Sequence, residues 1–167
     1  AATNMTDRAA ALTVLAHRHD GSPEAEEALA SFEARYRGDA LVLDKWFQIQ
    51  AGVPGPRTVE TVRALMRHPA FSIANPNRVR SLIGTFSSAN QTGFHRAYGQ
   101  GYRLFAETVL EVEKRNPQVA ARLATAMRSW RSLEPIRQDK ARQALLQIAN
   151  VENLSADLRD IVERTLA

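Results

Sequence analysis

The chain has 167 residues, 44% of them hydrophobic and 24% charged, which suits one globular domain with a real core and excludes a disordered chain. Its net charge of +4 comes from arginines spread along the chain, with no Lys/Arg run of the kind that marks a nucleic-acid tail, so an acidic partner is allowed but not required. There is no cysteine, which removes disulfides, thiolate metal sites and cysteine nucleophiles and fits a reducing compartment; no apolar run approaches the ~20 residues of a bilayer span, and no signal peptide is visible.

The opening Ala1-Ala2-Thr3 has no initiator methionine, so an origin within a longer polypeptide is expected from the first residue. Asn4-Met5-Thr6-Asp7 reads as a helix start, with Leu12 and Leu15 on one face to about Arg18. His17 and His19, two residues apart, do not share a helix face and do not form a metal pair. Ser22-Pro23-Glu24 starts a second helix on Ala25, Ala28, Leu29, Phe32 and Tyr36, stopped by Gly38. Ala40 to Gln50 is apolar nearly all round, which predicts a central, buried helix. Gly52-Val53-Pro54-Gly55-Pro56 is a loop, and Thr58 to Arg67 a short helix ended by His68-Pro69.

Asn75-Pro76 then offers an N-cap followed by proline at the first helical position. Val79, Leu82, Ile83 and Phe86 make one apolar stripe, failing near Ser87-Ser88-Ala89-Asn90. Arg78 and Arg80 lie off that stripe, at the positive end of the helix dipole. They are either ordinary surface arginines or a concentration of positive potential able to hold a carboxylate or phosphate. Gln91 to Gly101 is irregular; its Gly99-Gln100-Gly101 reads as a turn, because no strand precedes it and a third glycine is missing. A strong helix follows on Tyr102, Phe105, Ala106, Val109 and Val112.

Asn116-Pro117 repeats the earlier start about 41 residues on, with Ala120, Leu123, Ala124 and Met127 as its stripe. Gln118 and Arg122 are i, i+4 and share a face of its first turns, as a solvent-facing pair or something more. Pro135 opens a helix on Ala141, Ala144, Leu145 and Ile148, and Ser155 caps a last one on Leu158, Ile161 and Val162. No segment alternates as a strand does. The fold class is therefore all-α, about nine helices paired in a HEAT- or armadillo-like solenoid, with an irregular bundle as the alternative. No histidine stands in His-Glu-x-x-His or at zinc spacing, and neither a Gly-x-Ser-x-Gly elbow nor a Walker loop is present. On its residues alone the chain reads as a helical module that positions or gates something else.

Several segments in order carry a resemblance. They are Asn4-Met5-Thr6-Asp7-Arg8, Leu43-Asp44-Lys45-Trp46-Phe47, Thr61-Val62-Arg63 and Asn75-Pro76-Asn77-Arg78-Val79-Arg80-Ser81-Leu82-Ile83-Gly84, then Arg115-Asn116-Pro117-Gln118-Val119-Ala120, Glu152-Asn153-Leu154-Ser155 and Leu166-Ala167. Together they resemble the C-terminal helical domain of the bacterial aminopeptidase N family, zinc-dependent aminopeptidases with alanyl preference. The resemblance implies that residues 1–167 form a single C-terminal helical domain, a right-handed superhelix of stacked helix pairs, in a larger cytoplasmic bacterial enzyme. It implies a non-catalytic role: covering the active-site cavity, controlling peptide access and contacting the substrate. Zinc, its His-Glu-x-x-His helix and hydrolysis belong to the family's catalytic domain, so this chain alone is expected to be no enzyme and to hold no metal. Its implied partners are the catalytic and N-terminal domains of the same polypeptide and short peptides, with no nucleic acid and no membrane. Arg80, Gln118 and Arg122 match family positions that face the substrate across the cavity. An apolar or semi-polar face for the catalytic domain to cover is expected on the flank of the early helices, because Trp46 and Phe47 need cover. The rival reading is a free-standing HEAT-like adaptor or weak nucleic-acid binder, favoured only by the basic charge and the helix pairs.

Overall fold

Side-chain caps set most of the helix starts. Asn4 accepts the Asp7 N–H at 2.8 Å and opens α1 (Met5–Arg18). Ser22 does the same for α2 (Pro23–Tyr36), and Asp39 accepts from Leu41 and Val42 at the start of α3 (Ala40–Ala51). The α4 helix (Thr58–Leu65) follows the proline–glycine loop without a side-chain cap. Asn75 opens α5 (Pro76–Val79), which passes through a π-turn at Arg80–Gly84 into α6 (Thr85–Ser88). The α7 turn (Gln91–Phe94) leads to α8 (Gln100–Glu113); Asn116 caps α9 (Pro117–Ala124). Two 3-10 turns, Thr125–Met127 and Trp130–Ser132, precede α10 (Pro135–Ala149) and α11 (Ala156–Leu166). This computed structural model describes residues 4–167, and Ala1-Ala2-Thr3, which bore on the expected longer parent, lie outside the described residues. Among the described residues there is no strand, as the periodicity predicted, and no helix is long and apolar enough to cross a membrane.

Neighbouring helices pack on one another in sequence order. In the first half α3 is the hub, touching α1, α2, α4 and the π-turn; in the second, α8 packs on α9 and α10, and α11 on α9 and α10. The halves join where α9 meets the π-turn and where α4 and α7 meet α8. That is the stacked-pair pattern of a repeat solenoid.

Three features differ from the sequence reading. Trp46 and Phe47 need no outside cover, being 6% and 0% exposed within this chain. The Trp46 indole donates to the Leu29 carbonyl at 2.9 Å, and both rings pack beside His68. The large hydrophobics left exposed on the early flank are instead Val14 and Leu41, so α3 is not buried all round. The helix from Pro76 is not uniformly α: the Thr85 N–H reaches the Arg80 carbonyl five residues back. The wider turn spreads Ser81, Leu82 and Ile83, all buried, over an arc that faces both α3 and α9. The stripe expected to reach Met127 as α-helix tightens into a 3-10 turn after Ala124, which still buries Met127.

Candidate functional site

The two Asn-Pro starts lie side by side. Asn75 accepts the N–H groups of Asn77 and Arg78, and Asn116 that of Val119, so each fixes the first turn of its rod. Where α9 crosses the π-turn the rods enclose a groove of about 530 Å³. Arg80, Gly84, Thr85, Ser88 and Ala89 form one wall; Gln118, Val119, Arg122, Leu123 and Thr125 form the other. The structure thus brings Arg80, Gln118 and Arg122 together, all three exposed, in one cleft.

The chemistry of the cleft is one-sided. Arg80 donates from Nη2 to the Asn77 side-chain oxygen and has no carboxylate partner among the described residues. Gln118 and Arg122 have no side-chain partner among the described residues, and no carboxylate lines the walls. Gly84, Ala89, Val119 and Leu123 supply an apolar surface, and the Thr125 hydroxyl donates to the Arg122 carbonyl at 2.7 Å. Two unpaired guanidiniums and a carboxamide over an apolar surface suit an extended ligand with carbonyl and carboxylate oxygens.

Arg78, the other arginine of that stretch, is neither a surface residue nor an anion holder. It is 5% exposed, and its Nη1 donates to Asp44 at 2.6 Å and to the Ala40 carbonyl at 3.3 Å, with the guanidinium over the Phe47 ring. Asp44, the one carboxylate in α3, was the signal that could have found this pair. Sequence reasoning also passed over Asn77, which occupies the position after Asn75-Pro76 that Gln118 occupies after Asn116-Pro117. Asn77 does not line the groove; its side-chain oxygen accepts from Arg80, which does.

Three of the four histidines make structural contacts, and His19 is exposed. His17 Nε2 lies 3.0 Å from the Ile49 carbonyl, His68 Nδ1 accepts the Ala70 N–H, and His95 Nδ1 lies 2.8 Å from the Tyr102 hydroxyl. Burial, and then the Arg137 charge, hold His95 below the ordinary imidazole range, and burial pushes Tyr102 up to about 12. Among the described residues no group of three or more His, Cys, Asp or Glu could hold a metal ion, so a zinc donor set is not assembled here. The Gly99-Gln100-Gly101 segment, expected as a turn, is a helix start instead: Gly99 at φ +78 is the N-cap of α8, Gln100 and Gly101 are its first residues, and a Cβ on Gly101 would stand 2.3 Å from the Phe94 carbonyl oxygen.

Comparison with known proteins gives these features a family. The ARM-repeat family described as a domain of unknown function, DUF3458_C, matches residues 1–167. Aminopeptidase N of Escherichia coli is 39% identical over 166 residues, 99% of this chain. Aminopeptidase N of Haemophilus influenzae is 40% identical over 165 residues, and that of Caulobacter vibrioides 39% over 166. In each case the chain spans only 19% of the relative's length. A crystal structure of Legionella pneumophila aminopeptidase A in complex with aspartic acid superposes with a TM-score of 0.91 at 34% identity, covering 98% of this chain and 19% of that one. The chain belongs to the DUF3458_C family of ARM repeats, and along its whole length it is similar to the C-terminal helical domain of aminopeptidase N.

Proposed function

We propose that this chain is the non-catalytic C-terminal helical domain of a zinc aminopeptidase, that it caps the active-site cavity and controls peptide access, and that its groove contacts the distal end of a bound peptide. The observation that carries the reading is the convergence of Arg80, Gln118 and Arg122 in one groove that no carboxylate lines. A peptide held by its N-terminus at a metal centre extends its carbonyls and terminal carboxylate away from that centre. Two guanidiniums facing it from across a cavity receive that end, and Gln118 bonds the peptide backbone or steadies Arg122. The metal, when bound elsewhere in such an enzyme, activates the attacking water; the residues here bind, orient and limit length. The similarity to aminopeptidase N over 99% of the chain supports this division of labour, since the chain accounts for a fifth of those proteins.

The test is kinetic, on the full-length parent polypeptide. A charge-assisted hydrogen bond shielded from water contributes about 1.5–3 kcal/mol, so Arg122→Ala raises the KM for tri- and tetrapeptides roughly 10- to 100-fold. A single-residue chromogenic substrate, too short to reach the groove, keeps its KM. Equal effects on long and short substrates overturn the reading.

A further inference from the structure

Gly84 lies in the groove with an identity that neither its backbone nor its packing explains. Its φ of −61° and ψ of −46° are helical angles open to every residue. A Cβ built there would meet only the Arg80 Cβ and the Leu123 Cδ2, both at 3.9 Å, which is ordinary van der Waals contact. An alanine therefore fits. Glycine inside a helix destabilises it relative to alanine, because the unfolded chain has more freedom to lose. The chain thus carries a destabilising residue at the last position of the π-turn, at helical angles and with no clash for a side chain to meet. Gly101 shows the contrast, since its Cβ would collide with the Phe94 carbonyl and its identity follows from packing.

What Gly84 does leave is a bare strip of helix backbone in the groove, between Arg80 on its own rod and Gln118 and Arg122 on the other. Close approach of another main chain is the remaining setting that calls for glycine. We infer that Gly84 is a specificity-determining residue: the main chain of a bound peptide crosses the helix there, flanked by Arg80 and Arg122. The inference rests on the peptide-binding reading above and adds the path the ligand takes. Residues with bulk at the crossing position of the peptide are disfavoured, and so is any side chain added at position 84.

The experiment compares Gly84→Ala, Gly84→Leu and Arg122→Ala in the full-length parent polypeptide, by steady-state kinetics and thermal unfolding. Gly84→Ala unfolds at the same or a higher temperature and raises the tetrapeptide KM a few-fold. Gly84→Leu raises it by about tenfold or more with kcat unchanged. Neither variant alters the single-residue chromogenic substrate. A lower unfolding temperature for Gly84→Ala makes the glycine structural and overturns the inference. So does a tetrapeptide KM that Gly84→Leu leaves unchanged while Arg122→Ala raises it, because the groove then binds peptide along another path. If Gly84→Leu does not fold, the KM and unfolding temperature of Gly84→Ala decide. Should Arg122→Ala and both Gly84 variants all leave the tetrapeptide KM unchanged, the peptide-binding reading falls and this inference with it.

Discussion

A buried guanidinium persists only where an opposite charge and hydrogen-bond acceptors surround it. Arg78 meets that condition through Asp44, with side chains 6% and 15% exposed, although its Nε has no partner. Removing one member strands the other. Asp44→Ala should lower the unfolding free energy by about 3–5 kcal/mol in a urea titration. Replacing both, as Arg78→Met with Asp44→Leu, should recover most of that loss. A second residue-scale prediction concerns His95, whose burial and Arg137 neighbour depress its pKa from the ordinary 6.5. The unfolded chain then binds a proton that the folded chain does not. His95 burial is therefore harmless above the ordinary value, and stability falls as pH drops through it toward the folded-state pKa. Thermal midpoints should decline below about pH 6.5, and His95→Gln should flatten that part of the profile.

At the scale of the element, the rod from Pro76 to Ser88 carries both halves of the argument. Its cap, Asn75, serves two N–H groups at 3.0 and 3.2 Å, and its π-turn delivers Arg80 and Gly84 to the groove. Asn75→Ala should cost about 1 kcal/mol of stability, read from the denaturant midpoint. Asn90 joins elements that the sequence keeps apart. Its Nδ2 donates to the Ala51 and Val53 carbonyls at 2.9 and 2.8 Å, and its oxygen accepts the Gly93 N–H. It thereby ties the end of α3 to the start of α7, beneath the rod. Asn90→Ala should be costlier than the exposed cap, because it takes the side-chain partner from the Ala51 carbonyl and the Gly93 N–H, each costing about 1–3 kcal/mol, while the Val53 carbonyl keeps the Thr58 hydroxyl.

At the scale of the whole molecule, helix stacks on helix and each layer buries the last, so the chain should fold alone. Its far-UV circular dichroism should be helix-dominated; a strand-dominated spectrum would contradict the fold. The pure chain should neither hydrolyse alanyl substrates nor bind zinc tightly, because the His and carboxylate side chains do not cluster. Chelator-sensitive hydrolysis by the purified chain alone would overturn the division of labour proposed here. A groove of about 410 Å³ between α1 and α2, with Arg8 and Arg35 at its walls, is open to solvent.

The helix starts were legible because caps and stripes act over three or four residues: Asn4, Ser22, Asn75, Asn116 and Ser155 each accept an N–H of the first turn that follows. The breakers and the all-α class follow from the same short-range rules, whereas the choice of stacked pairs over an irregular bundle was made by packing. The sequence by itself left Gln118 and Arg122 as a solvent-facing pair or more, and only the family resemblance joined them to Arg80. Their convergence depends on how α9 crosses the π-turn, which is decided by side chains interdigitating across distant segments. The π-turn itself has no local signature, since it answers to two packing partners at once. Arg78 reads as surface in the helix period, and it is interior because Asp44, thirty-four residues earlier, lies across from it. What Gly84 faces is likewise decided only by the α9 wall that stands opposite it.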